Sequence, residues 1–161
     1  MIRQLLESDV EALAMLFTDS VHNLASSYYD ASQCAAWAPR PPELNSWRER
    51  LACLRTLVAE ADSKIAGFVS YEQNGHIDLL YTSPAYSRRG IASALYFEAE
   101  ANLVSNGISE LFTEASLVAR PFFERCGFHV VEEQCLQICG VTFRRQTMRK
   151  SLPAQQALAR A

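Results

Sequence analysis

IDLLYTSPAYSRRGIA, residues 77–92, is the stretch whose reading decides the fold. The apolar run from Ile77 to Tyr81 is strand-like and stops at the turn formers Ser83 and Pro84. Arg88, Arg89 and Gly90 follow, and the next residues, ASALYFEAEANLV, have helical composition and spacing. A strand, a short basic loop and a helix start present free backbone N–H groups to an anion. The first N–H groups of a helix have no internal partner, and the helix dipole favours negative charge there. Gly90 permits close approach of backbone to ligand, and Arg88 and Arg89 add formal charge. Such a cradle suits a pyrophosphate, at roughly 1.5–3 kcal/mol for each hydrogen bond to a charged oxygen. The spacing alone equally fits a turn with solvated arginines.

Two common nucleotide motifs are excluded. The chain has no G-x-x-x-x-G-K-[ST], and no G-x-G-x-x-G followed about twenty positions later by an acid. The stretch instead resembles the signature of the GCN5-related N-acetyltransferase (GNAT) family, a strand ending L-Y-V-x-P and then [QR]-x-x-G-x-[GA] at a helix start. Leu80-Tyr81-Thr82-Ser83-Pro84 matches the first part, and Ser87-Arg88-Arg89-Gly90-Ile91-Ala92 the second, with Ser87 where Gln or Arg is usual. A second landmark follows in order. Family members carry N-x-x-A-x-x-F-Y-E-x-x-G-F, and Ser116 to Phe128 reads SLVARPFFERCGF. The resemblance covers roughly residues 2–150 and is nearest to the YafP-like branch.

Composition agrees with one globular domain. The chain has 161 residues, 49% hydrophobic and 20% charged, enough for a sizeable core. The expected division is a domain over 1–150 and a frayed tail over 151–161. A net charge of −3 argues against nonspecific nucleic-acid binding. No apolar run approaches the ~20 residues of a membrane span, and the N-terminus lacks the apolar core of a signal peptide. Five cysteines without C-x-x-C spacing fit reduced thiols in the cytoplasm, and no metal set is expected.

Strands are expected over Ile2–Leu6, Thr56–Ala61, Ile65–Glu72, His76–Thr82, Glu110–Thr113, Phe128–Gln137 and Val141–Met148. The last two form a hairpin about Cys139-Gly140. Helices are expected after a capping box at Ser8 and Glu11, over Ser46–Arg55, from Ile91 to about Asn106, and over Ala119–Cys126. Residues 26–47 read as irregular and aromatic. The fold class is therefore mixed α/β, with about seven strands and four helices. The GNAT resemblance implies one twisted sheet whose fourth and fifth strands splay apart, with the thioester arm of acetyl-CoA in the opening.

The same resemblance assigns the site. Arg88, Arg89, Gly90, Ile91, Ala92 and Ser93 would hold the pyrophosphate. The backbone of Leu80, Tyr81 and Thr82 would pair with pantetheine as an added strand. Ser116 would hydrogen-bond pantetheine, and Ala119 and Phe122 would wall the tunnel, unless they only pack the helix. The reaction implied is attack by a neutral amine on a thioester. An amine of pKa ~10.4 is only about 0.04% neutral at pH 7, so a carboxylate near it would help. Asp78 leads, on the face that simple alternation sets opposite Ile77 and Leu79, with Glu114 and Glu72 as second choices. A solvated or ion-paired acid is the plain alternative for all three. Phe123 stands where many family members place a Tyr that protonates the leaving thiolate, and a Phe has no proton to give. Water, Tyr28, Tyr29 or Tyr81 could substitute.

The acceptor wall is expected from Tyr28, Tyr29, Trp37 and Phe123, with packing as the alternative for the tryptophans. His22, His76 and His129 read as ordinary surface or core histidines. Arg144, Arg145, Arg149 and Lys150 give the last strand a basic end, read as a solvated edge or, alternatively, as a contact for an anionic acceptor. The function expected is an N-acetyltransferase using acetyl-CoA on a small-molecule amine, without metal, nucleic acid or membrane; a homodimer is compatible with it. A protein N-terminal or lysine acetyltransferase and a non-catalytic acyl-CoA sensor are the alternatives.

Overall fold

A computed structural model describes residues 1–153. It contains seven strands and five α-helices. In chain order they are β1 (Ile2–Gln4), α1 (Val10–Leu24), α2 (Ala31–Trp37), α3 (Leu44–Ala52), β2 (Arg55–Ala61), β3 (Lys64–Tyr71), β4 (Ile77–Thr82), α4 (Ile91–Ser105), β5 (Glu110–Ala115), α5 (Arg120–Arg125), β6 (His129–Ile138) and β7 (Val141–Ser151). The strands form two antiparallel sheets, β1-β2-β3-β4 and β5-β7-β6. The opening expected between the fourth and fifth strands is where the single expected sheet divides.

The two sheets meet at one seam. The Phe112 N–H donates to the Gly75 carbonyl at 3.1 Å, His76 forms a parallel bridge with Phe112, and the Thr113 hydroxyl donates to the Ile77 carbonyl at 2.8 Å. Gly75 is required there. Its φ is +101°, and a Cβ on it would stand 2.3 Å from the Glu110 carbonyl oxygen. Beyond Ile77 the edge of β4 has no strand beside it among the described residues.

What turns β4 away is a bulge. Ser70 pairs with Leu79 and Tyr71 with Ile77, so Asp78 faces no partner. An extra residue bends the strand and resets its alternation. Ile77 therefore points into the core beneath α4 and α5, with Leu95, Tyr96, Leu103, Phe123 and Met148. Leu79 points into the opposite core, with Phe17, Val21, Val58 and Phe68 beneath α1–α3. Asp78 is thus not opposite both of them, as plain alternation had it.

Several local expectations are corrected. The Ser8 capping box does not form. Residues Glu7–Asp9 make a 3-10 turn, and Asp9 does the capping, accepting the Leu6 N–H at 2.7 Å while two Arg3 nitrogens grip it at 2.8 and 3.0 Å. The Arg3 guanidinium holds the Asp9 carboxyl below the usual carboxylate range. Residues 26–47 hold a fifth helix, α2, with a reciprocal cap: the Gln33 N–H donates to Asp30 Oδ1 at 2.8 Å, and the Asp30 N–H to Gln33 Oε1 at 3.0 Å. The basic strand β7 is the centre of its sheet, between β5 and β6. Ser151 still pairs with Glu110 and Leu152 is buried; the rest of the expected tail, from 154 on, lies outside the described residues.

Candidate functional site

The divergence of β4 from β5 opens a cleft of about 310 Å³. Its walls are Ile77 to Tyr81 of β4 and Thr113 to Ser116 at the end of β5. Ala119 and Phe123 close it on the α5 side, and Phe17, Trp37, Arg50, Ile138 and Arg145 on the other. Of the residues expected at the site, Asp78, Glu114, Leu80, Tyr81, Ser116, Ala119, Trp37 and Phe123 line this cleft.

Others lie elsewhere. Thr82 pairs with Gly67 at the end of β4. Phe122 packs on Tyr96, with ring centroids 6.2 Å apart, rather than on the cleft. Tyr28 is exposed in the turn after α1 and lines neither the cleft nor the apolar pocket nor the side recess. Tyr29 is buried, and its hydroxyl accepts the Leu117 N–H at 2.9 Å. Glu72, past the end of β3, is half-exposed and outside the cleft.

Beyond the end of β4 sits the basic loop. Arg88 has φ +61° and Gly90 φ +77°, both left-handed. Gly90 is the N-cap of α4 and no side chain caps the helix. The N–H groups of Ile91, Ala92 and Ser93 therefore lack intrahelical acceptors. A Cβ on Gly90 would meet nothing within 4 Å, so the loop is open at this position. Arg88 has no ion pair among the described residues, and Arg89 lies over the Tyr86 ring at 5.2 Å. Gly67 sets how closely α4 seats on the sheet, since a Cβ there would lie 3.0 Å from Ile91 Cγ2 and from the Tyr81 carbonyl oxygen.

At the other end the acids are organised by partners that the sequence did not reveal. Asp78 is bound by Arg50 of α3, with Nε and Nη2 at 3.2 and 3.1 Å from Oδ2. Glu114 is bound by His76, Nε2 to Oε1 at 2.8 Å, and the other ring nitrogen is 2.6 Å from Glu72. His76 also stacks on Phe112, centroids 4.8 Å apart. Held between two carboxylates, chiefly by Glu114, the imidazole has its pKa raised from 6.5 to about 9. Reciprocally, His76 holds Glu114 below the usual carboxylate range. At neutral pH this is an imidazolium fixing an ionised Glu114, not the idle histidine the sequence suggested. The one hint in the sequence was the spacing of Glu72 and His76.

The hydroxyl of Tyr81 is a further polar group in the aromatic wall. Its ring meets Phe17 at 4.7 Å and Phe68 at 5.9 Å. Burial pushes its pKa well above the ordinary phenol value, so it holds its proton throughout the neutral range. Beyond Phe17, Trp37 and Arg50 an apolar pocket of about 250 Å³ continues, walled by Pro39, Pro41, Pro42 and Trp47. Among the described residues no group of His, Cys, Asp and Glu is arranged to hold a metal, and no helix is long and apolar enough to cross a membrane.

Residues 25–152 match the family model for the acetyltransferase (GNAT) domain. Over 148 residues the chain is 36% identical to the uncharacterized N-acetyltransferase YafP of Escherichia coli K12, covering 92% of this chain and 93% of that protein. The crystal structure of a GCN5-related N-acetyltransferase from Rhodopseudomonas palustris superposes with a TM-score of 0.90 at 30% identity, covering 94% of this chain and 95% of the other. PaiA N-acetyltransferase from Thermoplasma acidophilum, solved in complex with coenzyme A, shares the fold at a TM-score of 0.72 and 23% identity, with 94% and 98% covered.

Proposed function

The chain belongs to the GNAT acetyltransferase family, and we propose that it transfers the acetyl group of acetyl-CoA to the primary amine of a small molecule, by direct attack in a ternary complex. The observation that carries this reading is the cleft at the seam, with the open, uncapped start of α4 beyond one end and two held carboxylates at the other.

The residues present fit the cosubstrate. The free N–H groups of Ile91 to Ser93, the left-handed Gly90 and the charges of Arg88 and Arg89 suit a pyrophosphate. The exposed edge of Leu80, Tyr81 and Thr82 suits the pantetheine amides. Ser116 accepts the Ala119 N–H at 3.2 Å and keeps its own hydroxyl proton to donate. Ala119 lines the arm's tunnel, and Phe122 supports it through Tyr96.

When bound, acetyl-CoA supplies the thioester carbonyl. The amine nitrogen bonds to that carbon, the carbon–sulfur bond breaks, and a proton leaves the nitrogen. Asp78, held by Arg50, accepts this proton as general base. Glu114 keeps its negative charge and draws the amine in. Glu72 acts through His76, as a positioning residue for Glu114. The leaving thiolate takes its proton from water, because Phe123 cannot donate, Tyr28 is remote, Tyr29 lines the side recess rather than the cleft, and burial makes the Tyr81 hydroxyl a weaker acid than an ordinary phenol. A thiol of ordinary pKa ~8.5 leaves readily, so this step is the less demanding one.

A small acceptor is favoured over a peptide because α1, α2, α3 and the β6–β7 hairpin wall that end of the cleft. Free Cys53, Cys135 and Cys139 are exposed, which fits the reducing cytoplasm. The test is titration with acetyl-CoA by calorimetry. Parent protein should bind, and Gly90→Asp, which sets a carboxylate against the phosphates, should lose at least tenfold in affinity. Equal affinity would remove the cradle from this loop.

A further inference from the structure

The last strand carries four cations, and three of them have carboxylate partners. Arg144 pairs with Glu133 at 2.5 Å, Arg149 with Glu110 at 2.6 Å and Lys150 with Glu100 at 2.7 Å. Arg145 has none among the described residues; its Nε donates to the neutral Gln134 Oε1 at 3.0 Å. It lines the acceptor end of the cleft. It also lines a side recess of about 60 Å³ with Ser116, Ile138, Tyr29 and Trp37. Its remaining guanidinium donors are unassigned, in a place shielded by aromatic rings. A cation so placed matches a carboxylate.

The neighbouring acids are already committed: Asp78 is held by Arg50, and Glu114 and Glu72 share His76. Among the described residues, Arg145 is the cation of the cleft left to meet a carboxylate. A plain amine offers it none, whereas an amino acid reacting through its neutral amine does. Trp37 borders the cleft, the recess and the apolar pocket alike, so one ligand can reach all three.

Resting on the acetyltransferase reading above, we propose that the acceptor is an amino acid with a large apolar side chain. Its free carboxylate sits on Arg145, its amine lies between Asp78 and Glu114, and its side chain fills the pocket of Trp37, Trp47 and the prolines. The carboxylate recognition selects this class over the decarboxylated amines.

The experiment compares L-phenylalanine with phenethylamine, which differ only in the carboxylate. Free-thiol release from acetyl-CoA is followed for the parent, Arg145→Gln and Arg145→Lys. Calorimetry of each amine against the protein–CoA complex gives a readout independent of turnover. The parent should prefer phenylalanine by about 10- to 100-fold, the usual worth of charge-assisted hydrogen bonds, in KM and in Kd. In Arg145→Gln the preference should collapse to about one, and Arg145→Lys should restore part of it. A parent that binds CoA yet treats the two alike, or takes neither, overturns this inference and leaves the cofactor cradle standing. A preference that survives Arg145→Gln also overturns it. Failure to bind CoA at all sinks both readings.

Discussion

Replacing His76 by Gln removes the one titrating cation of the seam, and its effect on stability can be worked out against pH. The imidazole pKa is raised from 6.5 to about 9 by Glu114 and Glu72. A group whose folded pKa is raised stabilises the fold fully below its unfolded pKa, and that contribution disappears as pH rises through the folded pKa. For these two values linkage gives about 3 kcal/mol at pH 6, about 1 kcal/mol at pH 8 and close to none at pH 10. These are upper figures, because Glu72 is half-exposed and solvent screens its share. Buried Cys34 and half-buried Cys126, whose thiols are also raised by burial, lose stabilisation in the same direction at alkaline pH. The difference between parent and variant isolates the histidine. Urea unfolding of both proteins at pH 6, 8 and 10 should show curves that converge toward pH 10. Parallel curves, with the same gap at every pH, would refute the ion-paired imidazolium and reduce His76 to a stacking residue on Phe112.

Gly75→Ala should destabilise the fold by roughly 2–4 kcal/mol, from the left-handed backbone and the Glu110 clash together. Gly140→Ala, with φ +78° and nothing near its Cβ, should cost only the backbone part, about 1–2 kcal/mol; equal losses in thermal unfolding would contradict the seam. Asp78→Asn should lower turnover most at neutral pH and recover in part at high pH, where more amine is already neutral, while cofactor affinity barely moves. A pH–rate profile with the parent's shape would pass the base role to Glu114. Phe123→Tyr should raise turnover modestly, below the ~10²–10⁴-fold ceiling of general acid catalysis. A large loss would mean that the hydroxyl disrupts the packing of Phe123 on Tyr96, Phe122 and Phe128.

What the sequence made legible was local and periodic. The 77–92 stretch disclosed a strand, a short basic loop and a helix start, because turn formers and a glycine announce themselves in composition. Hydrophobic spacing likewise gave α1, α4 and the succession of strands along the chain, but not their order in the sheets, where β7 is central. The bulge at Asp78 was not legible, since two-residue alternation is the assumption that a bulge breaks. Helix α2 was signalled by Asp30 and Gln33, whose three-residue spacing is a capping box, but the aromatic run around it masked the period. Ser8 carried the same signal and lost it to Asp9, which Arg3 of the preceding strand holds. Arg50 and His76 meet the acids they hold, Asp78 and Glu114, 28 and 38 positions away. Such pairings are products of topology, and no short window contains them.

The aromatic wall has an optical consequence. The chain contains two tryptophans, and both border the apolar pocket, Trp37 reaching the cleft as well. All of the protein's indole fluorescence therefore originates at the end of the cleft walled by α1–α3, next to Tyr81 and Phe17. A molecule that enters there replaces water against both rings and shifts their emission without any label. Anions that occupy only the start of α4 leave that spectrum alone. The wild-type chain is its own spectroscopic reporter, able to tell which end of its cleft is filled.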